Sequence, residues 1–471
     1  MVIQWLFQNI DTKVKKMKNN KSEYLIKLLD FIECDFDTFS DDVKAQAKKM
    51  FLDLAGVICA GAKNNTAQTI AAYVKENYPN GEYTVLGSGN KTNLIGAALA
   101  NGMAANALDL DDGYSLLRGH PGAGFFGALI SAAENAKCTY GEFLAAVVVA
   151  YEISIRQGYA IRDFYGWDHS SGSYGTFATA ASVGKLLGLN RNEMEMALGI
   201  ADFIMPVTPA KRSCYIPSTN KDGIYWGQHA GTQAVMMAKA GITGKNPVIL
   251  DDEYLHYIDT LGEKFYFFNL YIKFYSCCRW AHSPIKAVKT IMEKNSIVAQ
   301  NIAKVDIYSF GNAGTLYRNA PKNEDEAQYN IIYPIVAQIL FGNCGPLENS
   351  TEKMYDARVE DVIKKIEFHH EPEYDKVFPG KRLSRAEITT KDGETFRSEA
   401  FEPDGDHNAD VSIDDIVKKI YSINGAYSSE KNINNMVSKI LETDYEEPFS
   451  DILNAIQKCA IENNIPELKH V

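Results

Sequence analysis

The chain has 471 residues, about three times a typical single-domain length of roughly 150, so it must build two or three cores. Hydrophobic residues at 46% and charged residues at 23% are globular values, which exclude a disordered chain, a collagen or a disulfide-stapled mini-protein. With 60 Asp plus Glu against 48 Lys plus Arg, the net charge of -12 repels phosphate backbones and anionic lipid, so neither nucleic acid nor a membrane surface is the expected partner.

Along the chain, residues 1–22 place their few apolar side chains before the lysines and offer no small-residue cleavage site, the reverse of a secretory signal, and are expected to form a mobile tail. Ser40 with Asp41 and Asp42 reads as an N-cap with first-turn acids, and Val43, Ala47, Met50, Leu54 and Val57 then recur at helical spacing. Thr139 with Glu142 and Asn190 with Glu193 are capping-box patterns that open further helices over Phe143–Arg156 and from Met194. The abundance of Ala and Gly in NLIGAALANGMAANALDL predicts helices packed closely on one another. The longest apolar stretch, Phe143–Ile155, is short of a membrane span and is broken by Glu152.

The texture changes after Glu263. KVDIYSF (Lys304–Phe310) alternates like a strand, and Arg385–Phe401 reads as a hairpin turning at Asp392-Gly393. Helical patterns cover Ser283–Glu293 and Tyr329–Leu340, and helices return from Ser412. The expected fold is mainly α: a large all-helical domain built from 1–262 and 406–471, with a smaller α/β lid domain inserted over 263–405. Eight cysteines contain no CxxC pair, which fits reduced thiols in a cytoplasm and offers no zinc or iron–sulfur spacing.

The acidic residues are unevenly spread. Gly113–Ala133 has none but carries Arg118 and His120, and His169–Asn192 has none but carries His169, Lys185 and Arg191. Phe203–Lys221 holds Lys211, Arg212 and Lys221 without an acid, and Lys264–Met292 holds Lys264, Lys273, Arg279, His282, Lys286 and Lys289. Burial alone explains the Ala-rich part of His169–Asn192, because charge is costly in a core. It does not explain the cations kept in the other three, whose convergence would make a locally positive cavity for a small polyanion. Within them, Asp109, Asp111 and Asp112 form a turn before His120-Pro121-Gly122, which opens a small-residue helix whose N-terminus could receive an anion. KFYSCCRWAH gathers Lys273, Tyr275, Arg279 and His282 in ten residues. Serine-hydrolase, P-loop, zincin and dinucleotide motifs are missing from the sequence.

Taken in order, FLDLAGVICAGA, DLDDGY, RGHPGAG, AYEISIRQG, NKDGIYWG, KFYSCCRWAH, AQYNIIYPIVAQIL and EPDGDHNADVSIDDI resemble the MmgE/PrpD family over nearly the whole chain. The resemblance implies a helical domain with an inserted lid, a homodimer, and lyase chemistry on small di- and tricarboxylates without metal or other cofactor. It implies catalytic roles for Asp109, His120, His169, Lys221 and His282, while the acid-free stretches offer Arg118, Arg212, Lys273, Tyr275 and Arg279 as substrate-binding candidates. Dehydration of a 2-methylcitrate-like substrate is the first expectation. Decarboxylation and epimerisation share the need to stabilise a carbanion beside a carboxylate, and a scaffold that has lost activity is the reading of another class. One departure stands out: where the family often has a hydroxyl residue after DFDD, this chain has Gly113 and then Tyr114.

Overall fold

The computed structural model describes residues 21–215 and 217–462. The tail expected over 1–22 lies outside the described residues except for its last two, which belong to helix α1 (21–33). The chain is mainly α. Helices α2 (Asp41–Gly61), α3 (Asn65–Asn77), α4 (Leu94–Asn106), α5 (Ala123–Ala136), α6 (Tyr140–Tyr165), α7 (Ser171–Leu186), α8 (Arg191–Ile204), α9 (Lys211–Tyr215) and α10 (Ile224–Lys239) come first. Both capping boxes form, Thr139 with Glu142 at α6 and Asn190 with Glu193 at α8. Ser40 does precede α2, but its hydroxyl donates to the Asp42 carboxylate instead of capping the backbone.

The first core is built by these helices. α10 packs on α4, α5, α7 and α8, and α7 on α5 and α6. The small residues matter where α5 crosses α7, since a Cβ on Gly175 would come within 2.8 Å of the Gly124 carbonyl oxygen. α6 is long and apolar enough to cross a membrane by length and composition, yet 94% of its apolar window is buried inside the fold. Glu152, at its centre, is ion-paired with Arg156 at 3.2 Å and accepts from the Phe267 N–H.

A second apolar core begins at Tyr275 and runs to Ile388. Its sheet has the order β6 (Ile366–His370), β5 (Ile302–Ser309), β7 (Ser384–Thr390), β8 (Thr395–Arg397), with β5 parallel to β6 and antiparallel to β7. Helices α11 (His282–Lys294) and α13 (Tyr333–Phe341) pack in this core, and short helices α12 (Glu324–Gln328), α14 (Thr351–Met354), α15 (Val359–Ile363) and α16 (Pro372–Asp375) fill its connections. β7 alternates buried and half-buried residues, and the hairpin turns through Gly393 at φ 91°. The helix expected over Tyr329–Leu340 starts four residues late, at Tyr333. Asn330 accepts from the Ile332 and Tyr333 N–H groups at 2.8 Å, so α13 starts there with Pro334 in its first turn.

The change of core falls later than the expected boundary at 263. Phe267, Leu270 and Ile272 still belong to the first core, because this aromatic segment packs along α6. Two short ribbons, β1 (Tyr83–Thr84) with β2 (Lys91–Thr92) and β3 (Gly113–Tyr114) with β4 (Leu270–Tyr271), complete the strands among the described residues. The described residues close with α17 (Ile413–Asn424), α18 (Glu430–Glu442) and α19 (Ser450–Ile461), which pack on α2 in the first core.

Candidate active site

The loop between α4 and α5 carries the DLDD turn, and four separate elements hold its backbone. The Lys221 ammonium donates to the Asn106 and Ala107 carbonyls at 3.0 and 2.9 Å and to Gln328, whose amide in turn donates to Ala107 O. Ser276 Oγ donates to Leu108 O, and the Lys419 ammonium of α17 to Leu110 O at 3.0 Å and to buried Asp53 at 2.7 Å. So clamped, Asp109 sits at φ 48°, in the left-handed region that a side chain rarely adopts. Every backbone carbonyl bonded here precedes or follows Asp109 by at most three residues, and the clamp aims its carboxylate.

That carboxylate meets two cationic groups. Lys273 Nζ lies 2.8 Å from Asp109 Oδ1, both fully buried, and His120 Nε2 is 3.5 Å from the same oxygen. On its other side, His120 Nδ1 is 3.0 Å from Asp111 Oδ2 and 3.0 Å from the Asp112 carbonyl. Asp222 Oδ2 approaches Nε2 at 3.7 Å. Burial alone would push the imidazole pKa down, but the Asp111 carboxylate, with help from Asp109, raises it to about 9. His120 is therefore an imidazolium at neutral pH, a proton donor. The backbone N–H of His120 donates to Ser171 Oγ, which ties it to the start of α7.

The N-terminus of α5 is not open to an anion. Gly122 N–H donates to Asp112 Oδ1 at 3.0 Å and Tyr151 donates to the other oxygen, so Asp112 takes the place expected for a ligand. Burial raises the Asp112 pKa to about 7. The start of α7 is likewise closed, with Gly172 N–H bonded to the Asp222 carbonyl.

A cavity lies between the two cores. Asp109, His120 and Asp222 line it from the helical side, and Arg279, Trp280 and Arg382 from the α/β side, with Tyr271 of β4 on the wall between them. Arg118, at φ 54°, pairs with Asp168 at 2.6 Å at the same cavity, where Lys211 also reaches. Arg279 donates to the Asp404 carbonyl at 2.7 Å and lies 3.3 Å from Asp406, while Arg382 donates to Ser115 Oγ at 2.7 Å. Three of the four acid-free stretches thus contribute to the cavity. Three of its cations are not bare: Asp109 faces His120, Asp168 pairs with Arg118 and Asp406 with Arg279.

Of the ten residues singled out from sequence, Asp109, Arg118, His120 and Arg279 line the cavity. Lys273 stands behind Asp109. Lys221 faces the DLDD backbone, and His282 Nε2 donates to the Cys277 carbonyl at 3.1 Å with Nδ1 toward Arg279, so it supports the arginine. Burial, with Arg279 and Lys273 nearby, holds the His282 pKa well below the usual value, and the ring is neutral. His169 stacks on Trp167 at 3.9 Å, is buried, and has no hydrogen-bond partner for either nitrogen among the described residues. Tyr275 is in the second core, edge-on to His282, and Arg212 is exposed.

Asp222, Tyr271, Tyr329 and Arg382 line the cavity without having been singled out. Asp222 follows Lys221 in NKDG and Tyr329 lies in AQYNIIYP, so motif position could have found both. Arg382 lies in a basic loop that reads as surface. A metal could find ligand atoms in Asp109, Asp111 and His120, which lie within 4.8 Å of one another. Lys273 and the imidazolium already supply positive charge to these carboxylates.

Fold and site define a mainly helical protein of two cores with a buried acid–base cluster between them. The chain belongs to the MmgE/PrpD family: residues 30–266 match the MmgE/PrpD N-terminal domain and 275–442 the MmgE/PrpD C-terminal domain. It is 24% identical to a cis-aconitate decarboxylase of Aspergillus terreus over 91% of this chain and 94% of that protein. It is also 24% identical to a cis-aconitate decarboxylase-like protein of Aspergillus oryzae, over 88% and 93%, and to the cis-aconitate decarboxylase of Mus musculus, over 77% and 79%.

Proposed function

We propose that this protein is a lyase acting on a small di- or tricarboxylate, with His120 as the proton donor. One observation carries the reading: a buried imidazolium, raised to about 9 between Asp111 and Asp109, shares a cavity with Arg279 and Arg382. The arginines would hold substrate carboxylates and offset negative charge that develops beside them. In a decarboxylation the bond from carbon to a carboxylate breaks, CO2 leaves, and the electron pair delocalises onto a neighbouring unsaturated carboxylate. His120 then delivers its proton to carbon. That sequence needs a donor and cations but no strong base, which is what the site offers, and the relatives' names agree with it. In this reading the α/β unit acts as a lid, since Arg279 and Arg382 come from it, and the working form is a homodimer.

Dehydration, the first expectation from sequence, is the second reading. Asp222, raised by burial and 3.7 Å from His120, would take the proton beside the carboxylate while His120 protonates the leaving hydroxyl.

The test is NMR in D2O with cis-aconitate, citrate, methylcitrate and iminodisuccinate. Carbon loss from cis-aconitate supports the decarboxylase reading, alkene formation from citrate or methylcitrate the dehydratase reading, and deuterium exchange without net loss an epimerase. No change with any of the four overturns the substrate class.

A further inference from the structure

Gly113 is not required by its backbone, because it is not among the residues with φ in the left-handed region. It is required by its neighbour. In the β3–β4 ribbon Gly113 is registered directly opposite Tyr271, and a Cβ at 113 would overlap the Tyr271 hydroxyl and the ring carbon that bears it. The next residue, Tyr114, turns the other way, and its hydroxyl accepts from Tyr159 in the first core at 3.3 Å. The ribbon therefore offers one opening, and the Tyr271 side chain lies in it, on the wall of the cavity.

The surroundings of that ring are cationic. The Arg279 guanidinium lies 4.4 Å from its centroid and that of Arg382 5.7 Å. Burial raises the phenol pKa, against the pull of Arg382, Lys273 and Arg279, so the hydroxyl keeps its proton and can donate. Among the described residues no hydrogen bond uses this hydroxyl, whereas the hydroxyl of Tyr151, beside the same loop, donates to Asp112.

We propose that Tyr271 is a substrate-binding residue whose hydroxyl, admitted by the absence of a side chain at Gly113, donates a hydrogen bond to a carboxylate of a small polycarboxylate held by Arg279 and Arg382. The proposal rests on the functional reading above. The Gly113–Tyr271 pair then sets specificity: the Tyr271 side chain lines the cavity from β4 with its hydroxyl over Gly113, and any larger residue at 113 would displace it.

Calorimetric titration with tricarballylate, a saturated tricarboxylate, tests the proposal on the full-length protein. Tyr271→Phe should keep the thermal midpoint and weaken binding by about 10- to 100-fold, the loss of one hydrogen bond to a charged acceptor. Gly113→Thr should weaken binding by displacing the ring, and Gly113→Thr with Tyr271→Ala should recover part of it by returning a hydroxyl from the opposite strand. Unchanged affinity in Tyr271→Phe overturns this proposal and leaves the functional reading standing. If the unsubstituted protein neither binds tricarballylate nor acts on the four carboxylates, the functional reading falls and takes the proposal with it.

Discussion

Asp111 Oδ2 lies 3.0 Å from His120 Nδ1, and both residues are buried. This contact decides the protonation state of the imidazole. His120 is raised to about 9, so the stability it contributes is fully present below about 6.5 and is lost as pH rises through about 9. Asp111→Asn should lower the upper limb of the pH–rate profile from about 9 toward about 6.5, and flatten the fall in urea stability between those pH values. A profile that stays where it was would remove His120 as the titrating donor.

Lys273 and Asp109 form a buried pair at 2.8 Å. Lys273→Met leaves the buried Asp109 carboxylate with only the His120 imidazolium, at 3.5 Å, and should cost about 3 kcal/mol in chemical denaturation. The double variant Lys273→Met, Asp109→Leu should regain most of that stability and none of the activity. Recovery of turnover in the double variant would show that neither residue is needed for the chemistry.

Lys221 acts on the site through the backbone. Lys221→Met removes the donor to the Asn106 and Ala107 carbonyls and should cost about 2–3 kcal/mol. It should also cut kcat at least about tenfold, because Asp109 can then relax from its strained φ. Lys221→Arg should not restore kcat, since a planar guanidinium cannot reproduce the convergent contacts of an ammonium. Thermal melts and steady-state kinetics on both variants read the two effects separately.

His169 is held low, at about 4, by burial. The unfolded chain gains a proton near pH 6.5 that the folded one refuses, so this group's contribution is present above about 6.5 and is lost as pH falls toward about 4. His169→Phe keeps the stack on Trp167 and should remove that acid sensitivity in urea melts at pH 7 and pH 5. If the loss at pH 5 is the same in the variant, another group is responsible.

The local signals were legible because they are carried by neighbours in the chain. The capping boxes at Thr139 and Asn190, the strand near Lys304 and the turn at Gly393 each depend on residues a few positions apart. The motif order and the acid-free stretches pointed to Asp109, His120 and Arg279 for the same reason. The late start of α13 is also local, set by the Asn330 side chain two and three residues before its first N–H groups, whereas the core boundary depends on an aromatic segment packing along distant α6.

Sequence by itself determined the family, the mainly helical character and the segments that build the site. Tertiary structure alone decided where those residues stand and what each of them faces. It gave the α5 N-terminus to Asp112, turned Lys221 and His282 into supports, brought Asp222 and Arg382 to the cavity, and set Tyr271 over Gly113. The reason is physical: a helix or turn is fixed by contacts over a few residues, whereas the charge on His120 depends on Asp109, Asp111 and Asp222, which only folding brings around one imidazole.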